Sequence, residues 1–482
     1  MRKPFRIFHF DIATENNFGD TLLFPAVKHA FEAYGAGSAF EVYDSRMLRE
    51  NVGRALVEYI NETADAVLVG GGGLFLSDTN PNKESGWQWR ISLPMLNAIE
   101  VPIIVFAVGY NRFYGQPDFQ PPFSEHVTRT LEKSLFFGLR NSGSIERMST
   151  YVPPEQAGRI LYQPCPTTLS SLMLPKVQPQ PDEKRIGIQL SFGKRNSLTA
   201  IEAEDVLRSA ENAIDILDRR GWEIVFTPFT KFDEKFSSRL GQKFSSRETV
   251  RVYGRQVLDR GISELSRIPM VLGCRGHGQM VPFGLGAMPF SFDVHPKLGY
   301  FLQDIGRSTW VKDPRDAACG EKMADEIEVA WDDREMHREH LAAAQQNMLS
   351  ATQENLASIY RALGGDPASL SCSWKPYDEQ GWNMAKARFL LELQLENGVH
   401  RKHAADAYLR EVESELEYLR REVLTAERDR LVIESELLKA RNLAVEAERK
   451  VLQSQEVGRH VSDQHRLVTT ARKSLARLRK LF

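Results

Sequence analysis

Four consecutive glycines, residues 70–73, follow directly on the apolar run Ala66, Val67, Leu68 and Val69. This junction restricts the fold more than any other part of the chain. A strand that is apolar at every position needs cover on both faces, which points to a parallel sheet flanked by helices. Glycines in series cost conformational entropy, so the run marks a place where something passes close to the backbone. The same grammar recurs on either side. Residues 5–10, 103–108 and 134–139 read as buried strands leading into polar or glycine-containing loops, and residues 21–34 read as a helix after a loop over 14–20. Such alternation is the pattern of an α/β domain built on a parallel sheet.

A stretch rich in proline and polar residues, 174–184 with Pro175, Pro179 and Pro181, interrupts the alternation. It then restarts. Residues 185–190, 223–226, 270–272 and 288–292 read as strands, with a helix over 202–219 and a helical pattern over 321–362. The expected fold class is α/β, with two Rossmann-like domains, residues 1–174 and 183–365, facing each other across a cleft. Ligands of open α/β sheets bind beyond the carboxyl ends of the strands, so the loops there are the place to look for chemistry.

The C-terminal part is a different polymer. Residues 401–482 hold 18 Lys and Arg against 14 Asp and Glu, with a single glycine, Gly458, and no proline. That surplus of +4 leaves −6 on residues 1–400, within an overall charge of −2. Apolar residues recur at steps of three and four from Leu409 through Val412, Leu416, Leu419, Val423 and Ala426. The seam resumes with Ile433, Leu437, Ala440, Ala444, Ala447 and Val451, broken only by Arg430. It predicts an α-helical coiled coil over 385–455 that joins this chain to another copy, a homo-oligomer. One amphipathic helix packed on its own domain is the other reading. Residues 459–482 form a basic amphipathic tail carrying Arg466, Arg472, Lys473, Arg477, Arg479 and Lys480, with no acid after Asp463. The tail is a candidate for peripheral contact with an anionic membrane surface; a solvated, frayed helix end is the alternative.

The near-neutral balance excludes a protein governed by bulk attraction to polyanions, nucleic acid included, but leaves room for a local cationic cleft. No apolar run reaches about 18 residues. Charged residues also interrupt the first apolar stretch before it attains signal-peptide length, so a cytoplasmic protein is expected, with the inner face of the membrane the place of any tail contact. The four cysteines, Cys165, Cys274, Cys319 and Cys372, lie far apart and lack metal-ligand spacing.

Four constellations could carry chemistry. Asn17, Phe18, Gly19 and Asp20 stand at a strand-to-helix junction, where free N–H groups could meet an anion or Asp20 could simply cap the helix. Gly70 to Gly73 lack the spacing of a Walker A loop or a dinucleotide fingerprint. Arg140, at a strand end before Asn141, Ser142 and Gly143, could hold a carboxylate or phosphate or make an interdomain salt bridge, with Ser142 placed to cap the next helix. The strongest is Gly273, Cys274, Arg275, Gly276, His277 and Gly278, followed by a strand leading to Asp293, His295 and Lys297. A titratable imidazole between cations at strand ends suits acid–base work on an anionic substrate, although a core histidine is the plainer role.

Taken in order, Asn17-x-Gly19-Asp20, the glycine run, Arg140, and Arg275-x-His277 followed by Lys297 resemble the polysaccharide pyruvyl transferase family over roughly residues 5–305. The family is similar in architecture to GT-B-like glycosyltransferases. The resemblance implies a transferase that moves an enolpyruvyl-derived unit from phosphoenolpyruvate to a sugar. The product would be a pyruvate ketal on a cell-surface polysaccharide, an exopolysaccharide or its precursor. It implies His277 as the catalytic proton donor, Arg275 as a catalytic cation, and Arg140 and Lys297 as further clamps on the donor. Asn17, Gly19, Asp20, Gly71, Gly72 and Gly73 would surround a nucleotide- or lipid-linked saccharide acceptor in the N-terminal half, with the donor in the C-terminal half. The scheme requires neither a metal nor a cofactor, because phosphoenolpyruvate is itself the donor substrate.

The sequence departs from the family at three points. Gly276 stands where an apolar residue is usual, Asn141 replaces an acid, and Cys165-Pro166 takes the place of a frequent Asp-Pro pair. Two other function classes fit parts of the chain: a GT-B-type glycosyltransferase using a sugar nucleotide, and a non-catalytic coiled-coil scaffold with a degenerate transferase domain.

Overall fold

Apolar runs of the first half become seven strands: β1 Phe5–Asp11, β2 Phe40–Met47, β3 Ala66–Val69, β4 Gly72–Phe75, β5 Ile103–Tyr110, β6 Ser134–Leu139 and β7 Ile160–Tyr162. They lie in the order β2-β1-β3-β5-β6-β7, with β4 beside β5, and every pairing is parallel. The second half supplies six: β8 Arg185–Gln189, β9 Glu223–Phe226, β10 Glu248–Thr249, β11 Met270–Gly273, β12 Met288–Phe292 and β13 Val311–Lys312. Their order is β10-β9-β8-β11-β12-β13, again parallel throughout. The computed structural model describes residues 3–399, except residues 13, 77–83, 176, 178–179, 192–202, 245–247 and 255–257, together with residues 442 and 445.

Two parallel α/β sheets are what the apolar runs predict, and burial explains the match. Every residue of β3, β5, β11 and β12 is buried, so each can be apolar along its whole length. The strands that the sequence conceals are short or polar. β2 borders its sheet and reads Phe-Glu-Val-Tyr-Asp-Ser-Arg-Met, half-buried beyond Val42. β10 and β13 hold two residues each and lie at the sheet edges.

Three local expectations are corrected. The glycine run is only partly a loop, because Gly72 and Gly73 open β4 and pair along β5. The first helix begins at Phe18, not at residue 21, so Gly19 and Asp20 sit in its first turn. Asn141, not Ser142, caps the helix Ser142–Ser149, its side chain accepting a hydrogen bond from Ser144 N at 2.8 Å. The Ser142 hydroxyl is instead engaged by Asp304 of the second half. The helical pattern over 321–362 is realised as two helices, Cys319–Asp332 and Arg334–Ala362.

Residues Met1–Leu393 form one compact unit that holds both sheets. Within it the chain after residue 366 packs on both halves: Tyr377 stacks on His29 of the first with ring centroids 3.3 Å apart, and Trp382 Nε1 donates to Asp259 Oδ1 of the second at 2.7 Å. Helix Glu379–Val399 follows. Beyond it, the predicted coiled-coil seam from Leu409 to Val451 and the tail 459–482 lie outside the described residues. No helix among the described residues is long and apolar enough to cross a membrane.

Candidate functional site

Parallel pairing sends all carboxyl strand ends of a sheet to one edge, and here the chemistry-bearing residues are collected at those edges. Asn17, Gly19 and Asp20 follow β1, Arg140 follows β6, and Cys165 follows β7. From the second sheet, Arg275 and His277 follow β11, and His295 and Lys297 follow β12. The two edges meet, because Asp20 and Cys165 of the first half both contact His277 of the second.

His277 is the second residue of helix Gly276–Gly284 and is 9% exposed. Its Nδ1 lies 3.4 Å from Asp20 Oδ1, and its Nε2 lies 3.7 Å from Cys165 Sγ. Asn17 orients the carboxylate by donating from Nδ2 to Asp20 Oδ2 at 2.6 Å. Burial by itself would lower the imidazole pKa, but hydrogen bonding and charge from Asp20 and Cys165 raise it above the ordinary value. Asp20 responds in the opposite sense. Burial pushes its carboxyl up, and the His277 partner outweighs this and holds it below the usual range. The arrangement therefore favours the protonated form of His277 and the ionised form of Asp20.

Glycine permits this contact. A Cβ on Gly19 would fall 2.2 Å from His277 Cβ and 2.6 Å from its Nδ1, far inside contact distance. Gly19→Ala therefore displaces the imidazole. We expect a loss of turnover approaching 10²-fold, as for a misplacement of about 1 Å, and an overpacking cost of about 1–3 kcal/mol in urea unfolding. Unaltered turnover would show that the ring position is immaterial.

Arg140 is 4% exposed, and among the described residues its Nε has no hydrogen-bond partner. Gly109 makes room for it, since a Cβ there would come within 2.2 Å of Arg140 Nε. Burial lowers the guanidinium pKa, with the charges of Cys165 and Asp20 opposing. Lys297 donates from Nζ to Asn111 Oδ1 at 2.7 Å, and Asn111 is seated against Gly73, where a Cβ would come within 2.7 Å of its Nδ2. His295 caps the Pro296–Asp304 helix through Nδ1, which accepts from Lys297 N at 3.1 Å. Burial first, then the charges of Lys297 and Arg140, drive its pKa well below the ordinary imidazole value, the opposite sense to His277.

Arg275 has a different occupation. Its fork is taken by Asp233, with Nη2–Oδ1 at 2.7 Å and Nε–Oδ2 at 3.0 Å. Asp233 is 0% exposed and also accepts from Phe229 N and Thr230 N at 3.1 and 3.0 Å. The cation expected to face a substrate is thus joined to a buried acid after β9.

At the glycine run, the close neighbour is β5, which pairs with both β3 and β4. A Cβ on Gly70 would lie 2.2 Å from Phe106 O, and one on Gly71 would lie 3.2 Å from Ala107 O. Gly72 adopts φ +105°, a conformation that disfavours side chains. An open groove of about 520 Å³ on the first half, lined by Asn97, Ser124, Arg129, Glu132 and Tyr151 among others, contains none of the residues singled out from sequence. Asn111 and Asp233 were missed from sequence. Asn111 directly follows β5 and could have been found by the strand-end rule, whereas Asp233 lies several residues beyond β9 and carries no motif.

Solved structures similar to this chain include a putative UDP-N-acetylglucosamine 2-epimerase from Listeria monocytogenes, 12% identical over 78% of this chain and 100% of that one, with a TM-score of 0.49. An O-GlcNAc transferase mutant from Thermobaculum terrenum is 14% identical over 75% of this chain and 68% of that one, with a TM-score of 0.40. No curated protein matches the chain. A family model does: polysaccharide pyruvyl transferase, over residues 17–296. That span runs from Asn17, which orients Asp20, through Arg140 and His277 to the residue before Lys297, and covers more than half of the sequence; the chain belongs to the polysaccharide pyruvyl transferase family.

Proposed function

We propose that this transferase moves the enolpyruvyl-derived unit of phosphoenolpyruvate onto two hydroxyls of a nucleotide- or lipid-linked sugar, forming a pyruvate ketal on a cell-surface polysaccharide or its precursor. The observation that carries the reading is the buried imidazole of His277, placed between Asp20 and Cys165, which favour its protonated form, with an Arg140 whose Nε has no hydrogen-bond partner among the described residues.

Ketal formation starts by protonating the methylene carbon of the enol. His277 supplies that proton, and the electron deficiency develops at C2 as an oxocarbenium-like centre. A sugar hydroxyl attacks C2, the C–O bond to phosphate breaks, and a second hydroxyl closes the ring. The two hydroxyl protons are released, one replacing the proton given by His277 and one leaving with phosphate. Donor phosphate and carboxylate need cationic partners. Arg140 and Lys297 supply these, while Arg275 shapes the turn that presents His277. The acceptor lies on the side of the first half, near Asn17 and Asp20.

The test combines the protein with phosphoenolpyruvate and a panel of nucleotide- and lipid-linked sugars. Phosphoenolpyruvate binding by calorimetry and phosphate release dependent on one acceptor are expected. Absence of both overturns the reading.

The same reading includes self-association through residues 385–455. Removal of residues 400–482 should lower the light-scattering mass to that of one chain, and an unchanged oligomer would contradict it.

A further inference from the structure

His277 has two partners, and only one of them belongs to an ordinary acid–base pair. The other is Cys165, the first residue beyond the Gln163-Pro164 step after β7, whose Sγ faces Nε2 at 3.7 Å while Asp20 Oδ1 faces Nδ1 at 3.4 Å. Carboxylate, imidazole and sulfur thus stand in the order of a Cys–His–Asp constellation. Two glycines fix the alignment. Gly19 brings the Asp20 helix onto His277, and Gly284 brings the His277 helix onto the segment after Cys165, since a Cβ there would lie 2.1 Å from Thr167 O. The Thr167 hydroxyl lies 3.2 Å from the sulfur. Cys165 is 1% exposed, so the sulfur faces the imidazole and not open solvent.

We propose that Cys165 is the thiolate partner of the His277 imidazolium, completing an Asp20–His277–Cys165 relay in which the sulfur anion keeps His277 in its proton-donating form. The proton leaves Sγ and resides on Nε2, so no other reactant is involved. Cys165 is a positioning residue that acts through His277, and its part in turnover rests on the reading of His277 as the acid. The groups facing the pair agree with this charge state. Burial would raise the thiol pKa, but His277, then Arg140, then the Thr167 hydroxyl bring it below the ordinary value. Tyr162, on β7, is raised by burial first, then by the charges of Asp304 and Cys165. Arg49 acts on Asp20 from further off. Burial pushes Cys274 up to about 12 and Cys319 up to about 11, so neither contributes a thiolate near neutral pH.

The first test needs no substrate. The ultraviolet thiolate absorbance of the full chain is titrated with pH, and the Cys165→Ser spectrum is subtracted to isolate this sulfur. A thiolate already present at neutral pH is expected, moving upward by about one pH unit or more in His277→Gln as the cationic partner is lost. No Cys165-dependent thiolate at neutral pH, or one indifferent to His277→Gln, overturns the proposal. The second test is the pH profile of kcat/KM. Cys165→Ser removes an anion beside the imidazolium, so the basic limb moves to lower pH, and Cys165→Asp moves it back. A basic limb unmoved by Cys165→Ser overturns the relay's role in turnover. A Cys165 thiolate that depends on His277, in a protein that neither binds nor turns over phosphoenolpyruvate, would sustain the pair and sink the proposed donor alone.

Discussion

His277→Gln should lower turnover by about 10²- to 10⁴-fold, the usual contribution of a positioned proton donor, with little change in melting temperature. Glutamine approximates the volume of histidine and retains a group able to bond Asp20, so the contact across Gly19 stays filled. What it lacks is a titratable proton. The structure makes this the informative substitution. His277→Ala would also empty the space that the ring fills between Gly19 and Cys165, mixing a packing loss with the chemical one. A glutamine variant with near-normal turnover and a sharply lower melting temperature would identify a core histidine.

Arg275→Ala should destabilise the protein by about 3–5 kcal/mol, the cost of leaving one member of a buried ion pair alone. The reason is Asp233, fully buried, which accepts from the arginine fork in addition to two backbone N–H groups and the Gln189 amide. Removal of the cation leaves that carboxylate buried without the guanidinium that pairs with it. Asp233→Asn on the same background should recover part of the loss, because an amide tolerates that environment without a cation. Urea unfolding reads both effects. If Arg275 served only to hold the donor, stability would be unchanged and KM alone would rise.

These two residues show what the sequence makes legible. The strand-end rule locates Arg275 and His277 from an apolar run and a glycine-rich turn, and the limits of β3, β6, β9 and β12 follow from largely apolar stretches. What an apolar run cannot specify is the partner across the interface. Asp233 and Cys165 come from separate strand ends, 42 and 112 residues from the groups they contact; strand order within the second sheet brings Asp233 to Arg275, and the meeting of the two sheets brings Cys165 to His277. The glycine run illustrates the same boundary. Close approach to its backbone is evident from composition, yet the approaching group is β5 itself, a fact fixed by sheet order. β2 escaped notice because an edge strand beside solvent does not need an apolar face along its whole length.

Belonging to the polysaccharide pyruvyl transferase family supports a transferase that modifies a polysaccharide, and the proposed mechanism has the transfer begin with a proton from His277. The most direct test of that claim is turnover in deuterium oxide with phosphoenolpyruvate and a competent acceptor. Mass spectrometry of the ketal should find one solvent deuteron in its methyl group, delivered from His277, and the His277→Gln variant should form this product far more slowly. A ketal methyl group free of solvent deuterium would contradict protonation at the methylene carbon and, with it, the role assigned to His277.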